Sequence, residues 1–462
     1  MKYIKQNSGY TLLLVISFGA IAIIFVVSLV SWTVTQSQLV RQRVYKELSI
    51  HIAEAGIDYY KWHLIQDPND FQDGIGGSGP YIHQFFDANN NLIGEFELSI
   101  VPPVEGSTIA TITSVGRTTE FPNIERAIQA VFAIPSFAEY AAVINGDVRF
   151  GEGTEIFGPV HSNGGIRFDA LAHNLVSSFL NQYNDPDHGG SNEYAVHTHL
   201  SPQDPYPPTE LSSRPDVFVV GRELDADQVN FGQLTIAIDD MEIKAQEPDG
   251  FYRGDSGDGG YHIVLKTDDT FDLYEVDSLV SAPPRCSPYQ SGWGTWSIST
   301  EHLLGTYPFP ANNIMFFADD IWVDGQIQSA RLSIVASNNI IVNDDLIYTT
   351  HDGQEVLALI AQNNFNIGLK SQDFLDIDAA LVAKNGRVGR HYYSSYCGTE
   401  YIRDTISLFG TIISELRYGF AYTDGTGYDI RNIEYDADLL YSPPPDFPLT
   451  SDKYKILYWE EI

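Results

Sequence analysis

Three groups of side chains have the types and spacing to do chemistry. Asp376 and Asp378 lie two apart in an apolar run. On an extended strand they share a face, and paired carboxylates at a suitable separation cleave glycosidic bonds. His197 and His199 share a face in the same way, and with Asp185, Asp187 and His188 upstream they offer donors that suit zinc. Asp255-Ser256-Gly257-Asp258-Gly259 offers oxygens to calcium but lacks the alternating ligands of an EF-hand loop. Each group has a plainer reading: a solvated strand face, solvated loop histidines, an ordinary turn. The plainer readings are preferred, so the sequence predicts no catalytic residue, no metal ligand and no cofactor. No Walker motif, nucleophile elbow or paired-cysteine zinc motif occurs. The only two thiols, Cys286 and Cys397, either sit free as small hydrophobes or bridge. In an oxidising compartment one disulfide between them is expected.

The elements that must carry these groups are bounded first by composition. A chain of 462 residues with 43% hydrophobic side chains can build two or three domains. The balance of 26 basic against 61 acidic residues, a net charge of −35, repels phosphate backbones and sets nucleic acid aside as a partner. It suits a soluble surface that meets cations or basic partners.

Residues Tyr10 to Val34 contain no charged side chain. A helix of that length spans a hydrocarbon core of roughly 30 Å, with Trp32 near one interface. The run exceeds a signal-peptide core, and no small-residue cleavage pattern follows it. Beyond it, Val40, Val44, Leu48, Ile52, Ala55, Tyr59 and Trp62 recur every three or four positions and predict an amphipathic continuation over 35–66. Asp67-Pro68 ends it.

Met1-Lys2-Tyr3-Ile4-Lys5-Gln6-Asn7-Ser8-Gly9 before Tyr10-Thr11-Leu12-Leu13-Leu14 resembles a type IV prepilin leader. The resemblance implies that prepilin peptidase cuts between Gly9 and Tyr10 and that 1–9 is the leader. It also implies that 10–34 is a transmembrane helix in the inner membrane and that the partners are other pilin-like subunits and the pilus assembly machinery. Lys2 and Lys5 fit a cytoplasmic leader under the positive-inside bias, leaving the rest outside; Arg41, Arg43 and Lys46 argue weakly the other way. Ala53-Glu54-Ala55-Gly56-Ile57 resembles the helix of PilX-type minor pilins. Two departures matter. The family prefers phenylalanine where Tyr10 stands. It also carries a glutamate at the fifth mature position, where this chain has Leu14, and in the family that glutamate pairs with a neighbour's N-terminal amine. Leu14 cannot neutralise a buried amine, so a major fibre subunit is not expected.

Phe96, Leu98 and Ile100 alternate with polar residues, Asp87 to Asn91 is turn chemistry, and Ile109–Thr113 and Ile124–Ile134 supply two further strands. Together they predict a pilin-like antiparallel sheet over 70–135. Val335-Ala336-Ser337-Asn338-Asn339 is echoed by Ile360-Ala361-Gln362-Asn363-Asn364, by Val382-Ala383-Lys384-Asn385-Gly386 and, loosely, by Val160-His161-Ser162-Asn163-Gly164. A period of about 22 to 25 residues between short apolar runs predicts stacked coils over 138–168 and 307–448, with asparagines at the corners and in amide ladders. Residues 169–306 break the pattern: a proline-rich stretch around Pro202, Pro205, Pro207 and Pro208, a helix on Phe231, Leu234, Ile238, Met241 and Ala245, and a hairpin from Tyr261 to Tyr274. They are read as an α+β insertion, and 449–462 as a C-terminal tail. The predicted fold is mainly β with a long N-terminal α-helix, a pilin-like α+β segment, and a right-handed parallel β-helix carrying the insertion. From about 138 the chain resembles an extracytoplasmic domain found behind pilin-like N-termini in bacteria, with Tyr435-Asp436 and Pro443 to Pro448 as its closing motif. The function expected is a non-enzymatic minor pilin or pseudopilin-like subunit of a type IV pilus or related secretion system. The alternatives are a membrane-anchored carbohydrate-active enzyme and an adhesin for surface glycans, the latter motivated by 13% aromatic residues.

Overall fold

The computed structural model describes residues 8–104, 107–286, 290–450 and 453–462. Most of the leader, with Lys2 and Lys5, lies outside the described residues. The chain forms two compact units: the residues up to Pro102 with Ala110–Phe132 and Lys453–Ile462, and Pro103–Ile109 with Ala133–Asp452.

In the first unit, helix α1 (Ser8–Gln66) is continuous over 59 residues, about 88 Å at 1.5 Å per residue. All side chains from Tyr10 to Val44 are exposed. The remainder lies on an antiparallel sheet of β1 (Tyr81–Phe86), β2 (Leu92–Val101), β3 (Ala110–Thr118) and β4 (Glu125–Ala133). Its buried face is Ser49, Ile52, Ala53, Gly56, Ile57, Tyr60 and Leu64. The predicted stripe is therefore rotated: Val44 is 58% and Trp62 60% exposed. Small residues explain the difference. A Cβ on Gly116 of β3 would collide with the Ser49 carbonyl and the Ala53 amide, and one on Gly56 with Ser114 and Phe96. The helix turns its smallest side chains to the sheet because backbone then approaches backbone, and close packing gains more dispersion contacts than a broad stripe held farther off.

The sheet alternates as predicted. Every second residue of β3 is buried, and Phe96 faces Gly116 while Ile112 faces Ala130 across the ladders. On the other face Arg117 gathers Glu95 and Glu97 at 2.7 Å and Glu125 at 3.1 Å. Strand Lys455–Glu461 joins β4, so half of the predicted tail is an edge strand. Ile456, Tyr458 and Trp459 give it the β-branched and aromatic character of one.

The second unit is built on a sheet of 21 strands among the described residues, with three parallel ladders. One column runs through Met315, Ile334, Leu359, Leu381, Ile412, Ala142, Val160 and Val176, each directly opposite the next. A second runs through Leu346, Ile377, Leu408, Ile433, Ile156 and Ala172. A third runs through Ile321, Ile340, Phe365 and Val388. All of these side chains are buried, at about 1.5–3 kcal/mol for each larger one. The asparagine repeats stack beside them. Asn339 Oδ1 accepts from the Asn364 amide and side chain at 3.0 and 3.1 Å, and Asn364 Oδ1 accepts from the Arg387 amide at 3.1 Å. The looser echo makes its own pair, Asn163 Nδ2 donating to Asn145 Oδ1 at 2.6 Å.

The order of passes is not the order of the sequence. Ile412 pairs with Ala142, so the earliest strands of the unit stack beyond the latest ones. Val176 pairs onward with Arg222. Helix α2 (Gln233–Ala245) then lies outside the first ladder, with Leu234, Ile238 and Met241 in one apolar cluster with Phe316, Val335 and Ala358. Phe251 restarts the stack opposite Met315. Stretch 169–306 is thus not one insertion. Its strands at Leu171–Ala172, Val176–Ser178 and Phe251–Arg253 lie in the ladders, as does Tyr261–Leu265, which pairs with Ile321–Ile327 and also forms the predicted hairpin with Thr270–Leu279, while Val196–His197 joins Ile166–Phe168 and Val148–Phe150 in a separate three-stranded parallel sheet. Strands of two or three residues are too short to show a period, so the sequence pattern does not reveal them. The closing motif covers the outer face of the first ladder: Leu439 and Phe447 join the α2 cluster, and Ser333 Oγ donates to the Pro445 carbonyl at 2.6 Å.

Candidate metal centre and other candidate sites

The histidine group is the one that the fold gathers. Strand Glu193–Tyr194 pairs antiparallel with Gln182–Tyr183, and Val196–His197 pairs parallel with Ile166–Arg167. The hairpin brings Asp185 and Glu193 to His197 and His199, and one ligand atom from each lies within 4.8 Å of all the others. Asp185, Glu193 and His197 are 3%, 4% and 2% exposed, so the predicted solvated histidines are corrected: His197 is core. His197 Nε2 is 3.0 Å from Glu193 Oε2 and 3.7 Å from Asp185 Oδ2. Its Nδ1 lies 3.0 Å from the Tyr194 carbonyl oxygen. His199 Nε2 lies 2.8 Å from Glu193 Oε1, and His188 Nδ1 is 3.3 Å from the same oxygen at the rim.

Two of the expected donors behave differently. Asp187 turns away to Arg417, at 3.0 and 2.5 Å. Glu193, unremarked in the sequence, completes the group; its only signal is a carboxylate in a Gly-Gly-Ser-Asn turn, and turns rich in such residues are ordinarily solvated. Burial lowers His199, Glu193 opposes that, and Arg167 adds to it. Two imidazoles and two carboxylates converging in this way could hold a divalent metal. The His199 edge opens on a polar cleft of about 800 Å³ that also includes Arg149, Arg167, Arg417 and Tyr422.

The carboxylate pair is split. Asp376 is exposed. Asp378 is buried, accepting from the Tyr348 amide at 2.8 Å and lying 3.0 Å from His351 Nε2. Burial raises Asp378, and it raises nearby Asp436 to about 6, with Asp438 and Asp378 adding to the effect and the Asp438 amide opposing it. The Asp255 group is an ordinary turn: Asp255 Oδ1 accepts from Gly257, and Ser256 Oγ donates to Asp319 Oδ2 at 2.5 Å while accepting from Asp258 and Gly260. Cys286 and Cys397 are joined in a disulfide with Cα atoms 4.6 Å apart, in a buried cluster with Leu369 and Tyr393. Beside it Arg390, fully buried, donates to the carbonyls of Gly368, Leu369 and Glu400.

At the N-terminus, Gly9 and Tyr10 both lie in α1. The helix is long and apolar enough to cross a membrane, and its apolar stretch is wholly unburied.

No protein-family model matches the chain, and no curated protein matches it. Among solved structures it is similar to the competence-associated pilin ComZ from Thermus thermophilus, at 14% identity and a TM-score of 0.29, over 90% of this chain and 97% of that one. A likeness this weak carries no argument about fold or function.

Proposed function

We propose that the chain is a minor pilin or pseudopilin-like subunit, a structural and not an enzymatic component of a type IV pilus or related secretion system. One observation carries the reading. A single helix has an apolar half with nothing packed on it and a second half seated on an antiparallel sheet, and its apolar run from Tyr10 follows directly on a lysine-containing stretch that ends in Gly9. A membrane stores the apolar half before assembly, and neighbouring pilin-like helices replace lipid in a fibre. Val40 and Val44, exposed beyond the apolar run, offer such a neighbour an apolar edge. Leu14 in place of the family's glutamate favours a tip or priming position. On this reading the body is extracytoplasmic, and the second unit is a right-handed parallel β-helix: stacked parallel passes with buried columns support the helix, and the handedness of parallel crossovers supports the hand. For the hydrolase alternative, Asp376 is exposed, while Asp378 is buried and engaged by the Tyr348 amide and His351.

Mass spectrometry of the protein from its native host tests the proposal. The expected mature N-terminus is Tyr10, and a bulky residue at position 9 should block processing. An intact Met1 terminus in cells with active prepilin peptidase would overturn it.

A further inference from the structure

We propose that Asp185, Glu193, His197 and His199 bind one divalent transition-metal ion of the zinc class, as a structural site at one end of the strand stack. The argument begins with a proton. The Tyr194 carbonyl can only accept, so the His197 nitrogen beside it, Nδ1, carries the hydrogen. The lone pair of Nε2 then points inward, at Glu193 Oε2 and Asp185 Oδ2. None of these three buried atoms has a hydrogen-bond partner. Three converging acceptors in a dry site repel one another, and each unsatisfied buried group costs about 1–3 kcal/mol or more. Nε2 makes no hydrogen bond to either carboxylate although Glu193 Oε2 is 3.0 Å away, so a second proton on the ring does not satisfy both oxygens. A cation among the three resolves all of them together.

The donors define the ion. Two imidazole nitrogens and two carboxylate oxygens suit zinc and its neighbours, whereas calcium and magnesium take oxygen alone. Two carboxylate charges match a dication. Arg167 is the competing positive group, but its Nε is committed to Asp169 at 2.7 Å and its Nη1 stands 3.6 Å from Asp185 Oδ2. The Tyr194 carbonyl is the outer partner that ligating histidines ordinarily have, and it fixes the tautomer and the ring. Four protein ligands, three of them buried, make a closed site, as structural zinc sites are. The ion would pin the hairpin ending at Glu193 to the segment after His197. That segment lies at the end of the stack where Val196 pairs with Ile166, and terminal passes there have a neighbour on one side only.

Full-length protein in detergent, stripped with chelator and dialysed against zinc, cobalt or calcium in turn, is the test. The expected result is about one zinc per chain by elemental analysis and, with cobalt, the visible bands of a tetrahedral centre, with calcium not retained. Zinc should also slow proteolysis within 184–204. Asp185→Asn with Glu193→Gln, which keeps shape, should abolish retention, as should His199→Ala at the least buried ligand, while Asp187→Asn should bind as before. Folded wild-type protein that retains neither zinc nor cobalt, or retains calcium in their place, overturns the proposal, as does undiminished binding by the Asp185→Asn, Glu193→Gln protein.

Discussion

The two units cover β surface in opposite ways. In the first, strands neighbouring in sequence pair antiparallel, β1 with β2, β2 with β3 and β3 with β4, and one helix buries one face. In the second, strands pair parallel across long separations, Ile412 with Ala142 and Ile433 with Ile156, and the sheet buries its inner face against itself. Apart from its last strand, Lys455–Glu461, the antiparallel unit keeps its strand contacts local, and it depends on how closely one helix can approach. The parallel unit must hold distant segments in register, and it adds devices the first does not need: asparagine ladders, a buried arginine serving carbonyls, and a disulfide across a sequence separation of 111.

If long-range closure is what the second unit depends on, the largest effect should come from its disulfide. Cys286→Ser with Cys397→Ser should cost up to about 4.7 kcal/mol, the chain-entropy value for a closure of roughly 100 residues. Denaturation followed by near-ultraviolet dichroism and by proteolysis should show the loss in the second unit, with α1 and its sheet unchanged. An equal loss in both units would break the contrast.

The first unit should be most sensitive to thickness. Gly116→Val places a side chain against the backbone of α1 at Ser49 and Ala53 and should destabilise that unit by about 3 kcal/mol. Hydrogen exchange should rise in 49–64 and in β3 and leave the parallel ladders protected. Unchanged exchange in α1 would mean that close approach is not what seats the helix.

The smallest effect separates the units by pH. Burial opposes charge on His262, but Asp324 at 2.7 Å and Glu301 at 2.8 Å outweigh it and raise its pKa to about 9. The folded pKa lies above the unfolded value of about 6.5, so the stabilisation is fully present below pH 6.5 and is lost as pH rises through about 9. Discounted for partial exposure, it amounts to about 2 kcal/mol. The difference in stability between wild type and His262→Gln should shrink between pH 6 and pH 10. A gap that stays constant across that range would remove charge from the account.

What the sequence determined by itself is whatever depends on near neighbours. The apolar run from Tyr10, the alternation of Phe96 and Leu98, the helix on Leu234, Ile238 and Met241, and the asparagine period over Asn339 and Asn364 are all local patterns, and side-chain period alone gives each its element. Tertiary structure decided what depends on partners far along the chain. The face of α1 was chosen by Gly116, which lies more than fifty residues beyond it. The stacking of Ala142 on Ile412 placed early strands after late ones, because parallel pairing needs only matching edges and not adjacent sequence. The metal cluster belongs to the same class: His197 and His199 were legible as a pair, but only the closing of Glu193 against Tyr183 carries a fourth donor into a dry site, and no spacing in the sequence encodes that distance.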